Sequence, residues 1–198
     1  MNKIGPEELK QLPFMAGMAL EAPEVPFSEG VLSAHKNSHI LIYTPKVPTL
    51  TLLKMRDIFG TGPAKEPCMY DQDWYLKEEF ASKTSLDGKW HLIQKDVRED
   101  MRAKPPEDIE ALLKHEQFPT AITCAFTFFA WCLLRGETLW NHDFLWCSDR
   151  DHQGDRIYVG RYEDQSGINK KGFNIHRHLS LRPAYSAAPE IVPRQLVL

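Results

Sequence analysis

Residues 121–134, AITCAFTFFAWCLL, carry no charge at all. Pro119 opens the stretch and Gly136 closes it, the punctuation of a helix start and stop. The polar residues before Arg135 are Thr120, Thr123 and Thr127, one narrow stripe. A helix apolar on nearly every side must be buried on nearly every side. Fourteen residues fall short of the roughly 20 that span a bilayer, so the stretch is predicted as a core helix and no membrane span is expected.

At 198 residues the chain reads as one domain, residues 31–186, with short extras at both ends. Residues 1–30 mix a helical signal, PEELKQL, with Pro13, Pro23 and Pro26, and read as a Pro-rich arm lying over the domain. Residues 187–198 read as a tail that includes the apolar IVPRQLVL. The opening MNKIGPEELKQLPFM has Glu and Pro where an export signal needs an unbroken apolar run. Of four cysteines, none forms a C-x-x-C, and Cys124 and Cys132 would lie about 12 Å apart on the core helix, too far to bridge. Buried reduced thiols and a cytoplasmic setting are expected. A net charge of −3 argues against general nucleic-acid or membrane-surface affinity.

HILIYT (39–44) is a continuous apolar run ended by Pro45, a buried strand. TLTLLKM (49–55) reads as a second strand or an extended segment, and GTGPAKEP (60–67) as a loop with no following G-K-S/T to bind phosphate. YDQDWYLKEEFASK (70–83) reads as an amphipathic helix with a solvated acidic face. KWHLIQK (89–95) reads as a strand with Trp90 and Leu92 opposed to His91 and Ile93. PPEDIEALLKHEQ (105–117) has Pro and acids at its start and Lys114 and His115 at its end, which matches helix capping and dipole rules. Strand-like segments then follow one another, with turn signals HQGD and DQSG. Grouped helices followed by grouped strands imply an α+β fold.

DRDHQGD, Asp149 to Asp155, resembles the start of a calcium loop. Counting from Asp149, however, position 12 is Gly160, which offers no carboxylate. A hairpin turning at Gly154, with Asp149, Asp151 and Asp155 shaping the turn, is expected instead; the three acids are weak calcium candidates. FNIHRHLSL places His176 and His178 on one strand face, with Ile175, Leu179 and Leu181 on the other. No G-x-S-x-G occurs, and no cysteine has recognisable catalytic flanks. Trp140, Trp146, Tyr158, Tyr162 and Phe173 crowd aromatics into the last third, interleaved with polar residues, as in a recognition surface.

The segment LWNHDFLWCSDRDHQGDRIYVGRYEDQSGINKKGFNIHRHLSLRPAYS resembles the closing half of a C-type lectin-like domain. The likeness lies in W-x-S entering a strand, a hairpin, a V-G-R-Y strand, a glycine-bearing loop and a last strand ending L-R-P. It is most similar to the bacterial and phage-borne branch, which includes the variable proteins of diversity-generating retroelements. The resemblance implies two helices packed on a small antiparallel sheet, a strand- and loop-rich C-terminal half, and a ligand surface on the C-terminal strands. There is no E-P-N or Q-P-D tripeptide, and WNHD (140–143) interrupts W-N-D, which argues against calcium-mediated sugar binding.

The leading expectation is a non-catalytic recognition domain that binds protein or another macromolecule without a cofactor. Its ligand residues would be Tyr162, Asp164, Asn169, Asn174, His176 and His178. One alternative is a metal enzyme using His176, His178 and a carboxylate of the 149–155 loop. Another is a subunit of a larger assembly, docking or oligomerising through its two ends.

Overall fold

The computed structural model describes residues 1–18, 20–164, 170–177 and 180–193. Its strands are β1 (Asn2–Ile4), β2 (His39–Tyr43), β3 (Trp90–Gln94), β4 (Glu116–Gln117), β5 (Phe144–Arg150), β6 (Arg156–Glu163), β7 (Lys171–Arg177), β8 (Tyr185–Ser186) and β9 (Glu190–Ile191). Its helices are α1 (Pro6–Leu9), α2 (Glu29–His35), α3 (Leu52–Phe59), α4 (Glu79–Ser82), α5 (Pro106–Leu112) and α6 (Ala121–Arg135). The fold is α+β, with two small sheets rather than one.

Helix α6 is the charge-free stretch. Thr120 caps it by accepting the Thr123 N–H, and Gly136 ends it in the left-handed conformation at φ 70°. Every residue from Ala121 to Trp131 is buried. Phe129 stacks on Phe59 of α3 with centroids 3.8 Å apart, Phe128 meets Phe173 of β7 at 5.1 Å, and Phe126 meets Phe14 at 6.2 Å. One continuous core joins α6 to both sheets. No helix among the described residues is long and apolar enough to cross a membrane.

The first sheet runs β1-β2-β3-β9-β4, with β1 parallel to β2. Segments near both ends of the chain, β1 and β9, therefore belong to it. Residues 1–30 are not an arm over a finished domain: β1 is an edge strand, and Ile4, Leu9, Leu12 and Met15 are fully buried. Residues 21–23 are pinned as well, Glu21 O accepting from Tyr43 Oη at 2.7 Å and Pro23 O from Trp90 Nε1 at 2.8 Å. The expected tail likewise supplies β9, inserted between β3 and β4. The docking expected of the two ends thus finds their strands already paired within the chain.

Two local expectations give way for identifiable reasons. TLTLLKM is not a strand: Thr51 caps α3, and Leu52, Met55 and Phe59 follow helical spacing. The 105–117 helix stops at Leu112, because Glu116 and Gln117 pair with Ile191 and Glu190. KWHLIQK forms β3 as a strand, and both of its faces are buried, Trp90 and Leu92 on one and His91 and Ile93 on the other.

Buried His91 is tolerated because it is ion-paired on both sides. Its Nδ1 lies 2.5 Å from Glu190 Oε2 of β9, and its Nε2 lies 3.0 Å from Asp87 Oδ1. Thr44 Oγ1 donates to the same Asp87 oxygen at 2.8 Å, and Gln117 Nε2 donates to Glu190 Oε1 at 2.6 Å. Strand β9 pairs with β3 at a single register position, so these side chains carry much of that join. Burial alone would push the His91 pKa down; the two carboxylates outweigh it and hold it at about 9.

Phe129→Ala is expected to cost about 3–5 kcal/mol, lowering the melting temperature by roughly 10 °C in a calorimetric scan. Because the folded pKa of His91 lies above its unfolded value, its stabilisation is complete below about pH 6.5 and fades as pH rises through about 9. Asp87 is held below the usual carboxylate range despite its burial, so its share is lost only as pH falls under about 3.8. Urea unfolding should therefore show wild type ahead of His91→Gln by about 3 kcal/mol at pH 6, with the gap closing by pH 10. A gap independent of pH would contradict this assignment.

Candidate functional site

The second sheet runs β7-β6-β5-β8, and strand alternation divides its residues between two faces. Leu145, Cys147, Ile157, Val159, Phe173 and Ile175 face α6 in the main core. Phe144, Trp146, Tyr158 and Tyr185 form a second apolar cluster, against which Tyr162 is packed. Register sets Tyr158 opposite His176, Gly160 opposite Asn174, Tyr162 opposite Gly172 and Phe144 opposite Tyr185.

Phe144, Tyr158, Tyr162 and Tyr185 meet around a cavity of about 510 Å³. Tyr158 and His176 stack at 5.4 Å with planes 5° apart. Phe144 touches Tyr158, Tyr185 and Tyr162 at 5.5, 5.7 and 6.2 Å. Tyr162 also meets Tyr70 at 5.8 Å and His142 at 5.9 Å. Polar groups sit among the rings: Gln72 Nε2 donates to Asn174 Oδ1 at 2.8 Å, and the Tyr158 and Tyr185 hydroxyls lie 3.0 Å apart. Arg182 and Ala184 complete the lining. His176 Nδ1 lies 2.6 Å from the Arg177 carbonyl, which only accepts, so Nδ1 carries a proton. Burial first, then the Tyr185 hydroxyl, pushes the Tyr158 pKa up, which keeps it a neutral phenol at ordinary pH.

Two segments outside the sheet build the walls. Residues 68–74 lie along the free edge of β7. Tyr70 N–H donates to Phe173 O and Phe173 N–H to Cys68 O, both at 2.8 Å, while Trp74 Nε1 donates to Ile175 O at 3.0 Å. This is why the helix expected over 70–83 shrinks to Glu79–Ser82: its first half is used to cover a sheet edge. Gly172, with φ 139°, permits the approach, since a Cβ there would stand 2.7 Å from the backbone of residues 68–70. The other segment, WNHD, crosses over Gly160, where a Cβ would stand 2.0 Å from Asp143 O. Trp140 and His142 both adopt positive φ there, 49° and 62°, a conformation non-glycine residues rarely take. It places the His142 ring beside Tyr162.

Of the six residues expected to bind ligand, Tyr162, Asn174 and His176 come together at this cavity. Asp164 lies off the lining, at the end of the hairpin where its N–H donates to Lys170 O at 2.8 Å. Asn169 and His178 lie outside the described residues. Tyr70, Gln72, His142 and Arg182 were not expected.

The 149–155 stretch folds as the turn between β5 and β6, with Gly154 at φ 91°. Asp149 Oδ2 accepts the Ala121 N–H at 2.6 Å, at the start of α6. Asp151 accepts the Gln153 and Asp155 N–H groups on Oδ1, each at 2.9 Å, and pairs with Arg177 through Oδ2 at 2.6 Å. Glu78, expected on a solvated face, is buried and holds the His152 N–H and ring. Glu78, Asp151 and His152 bring potential ligand atoms within 4.8 Å of one another. Their oxygens already serve these protein partners. Cys147 is a core thiol whose pKa burial pushes well up.

No family model, curated protein or solved structure matches the chain.

Gly172→Ala is expected to destabilise the fold by about 2 kcal/mol or more and to separate Tyr70 from Tyr162. Denaturant unfolding and the nuclear Overhauser contact between the two rings check this. Unchanged stability with the contact intact would contradict it.

Proposed function

We propose that this chain is a non-catalytic recognition domain of C-type lectin-like organisation, and that its ligand seats in the aromatic cavity on the C-terminal sheet. The observation that carries the reading is the convergence of Tyr70, Phe144, Tyr158, Tyr162, Tyr185 and two histidines on one cavity with Gln72 and Asn174 among them. A volume of about 510 Å³ is in the range of ligand sites, which are mostly apolar with a few placed polar groups. Tyrosine and histidine rings suit recognition because each offers an apolar face and a polar tip at small entropic cost.

The lectin-like reading is supported by the order of elements, two adjacent helices followed by the β5–β7 antiparallel run, and by the cavity's place on those strands and their loops. Likeness to the variable proteins of diversity-generating retroelements accords with a rigid sheet that presents exchangeable outward side chains. A protruding side chain or loop of a macromolecular partner would insert between Tyr162 and His176.

A mixed fragment screen read by aromatic 1H–13C NMR is expected to shift Tyr158, Tyr162 and His176 before other residues. Tyr162→Ala/His176→Ala should keep the wild-type circular dichroism spectrum while weakening those hits at least tenfold, the loss of about 1.4 kcal/mol or more. Hits that leave these rings unshifted, or bind the folded double variant equally well, would refute the reading.

A further inference from the structure

The charge around the cavity is one-sided. Among the described residues its lining contains no Asp or Glu and one permanent cation, Arg182. The stretches outside the described residues contribute no acidic side chain either, since residues 19, 165–169, 178–179 and 194–198 include no Asp or Glu. Acids in the neighbourhood are largely engaged by other cations. Asp143 accepts from Arg102 at 2.6 Å, Glu66 and Glu163 from Arg161 at 3.0 Å each, and Asp71 lies between Arg56 and Lys170 at 3.5 and 3.6 Å. Burial first, and then the Asp164 carboxylate, raises the Tyr70 pKa, but Asp164 does not line the cavity.

Arg182 differs from the other arginines. Arg56, Arg98, Arg102, Arg135, Arg150, Arg156, Arg161 and Arg177 each donate to a named oxygen. Among the described residues Arg182 is the arginine whose side chain makes no hydrogen bond and no ion pair. It lines the cavity together with Tyr158, Tyr185 and His176. A guanidinium is a planar fork of donors that matches a carboxylate or phosphate in two-point contact. Stacked rings with an uncompensated guanidinium at the rim suit a flat apolar body that ends in an oxyanion. They disfavour an organic cation, because Arg182 would repel what the ring faces attract.

We propose that the cavity recognises an aryl oxyanion, the aromatic body lying between Tyr162 and the Tyr158–His176 stack and the anionic head on Arg182. This rests on the recognition reading above and adds the ligand's chemistry to it. The site would distinguish ligands of the same shape by charge, with Arg182 as the residue that sets the preference.

Three probes of one shape test it: naphthalene-2-carboxylate, naphthalene-2-carboxamide and 2-(aminomethyl)naphthalene, titrated into the full chain and followed by ring resonances and calorimetry. The carboxylate is expected to bind about tenfold tighter than the carboxamide, with the ammonium weakest. Arg182→Gln should abolish the preference, bringing the carboxylate down to the carboxamide's affinity for the same variant. Tyr162→Ala should weaken all three alike. Equal binding of carboxylate and carboxamide, tightest binding of the ammonium, or an Arg182→Gln variant that keeps the preference would each overturn the proposal while leaving the recognition reading intact. Failure of all three to shift the cavity rings would overturn it too, and the fragment screen then decides the recognition reading separately.

Discussion

Burial of α6 on every side from Ala121 to Trp131 is the constraint from which the other features follow. A 15-residue helix with Phe126, Phe128, Phe129 and Trp131 in contact with protein needs walls that no single neighbour supplies. The second sheet gives one wall through Leu145, Val159, Phe173 and Ile175, and α3 and Phe14 give another. Segments near both ends of the chain are built into the first sheet, as β1 and β9. The burial of α6 decides which way the second sheet faces. With alternate residues of β5, β6 and β7 committed to α6, the rest are turned outward, and those are the aromatics of the cavity.

Much of the scaffold was legible from local pattern. The apolar α6 and the apolar run of β2 carry their signals in neighbouring residues and form near their expected bounds, and strands follow one another in the last third as expected. What pattern could not supply was pairing at a distance. β1 and β9 are too short to show a period, and they exist because β2, β3 and β4 offer edges. Thr49–Met55 fits strand alternation and helix spacing about equally, and Thr51 as a cap tipped it to helix. Glu78 reads as solvated because nothing nearby in sequence reveals His152 as its partner, and nothing nearby reveals Glu190 as the partner of His91.

The candidate site divides along the same line. Tyr162, Asn174 and His176 could be found because strand alternation puts them on one face, and adding Tyr158 would have followed from the same count. Tyr70 and Gln72 lie about a hundred residues away in sequence and carried a helical signal, so no local rule placed them at β7. His142 reaches the cavity through a left-handed backbone, φ 62°, that no local pattern announces. The glycines were the missed clue. Gly160 and Gly172, inside strands, mark the two places where another backbone crosses close by, and each crossing brings one wall of the site.

The cavity stands or falls with residues 68–74 lying on the β7 edge, and amide hydrogen exchange reads that contact directly. Tyr70 and Phe173 donate their N–H groups across it, to Phe173 O and Cys68 O. Both amides should exchange as slowly as those of the β6–β7 ladder. Rapid exchange at Tyr70 and Phe173, with the β6–β7 amides still protected, would mean an open edge and no second wall, and would contradict the account.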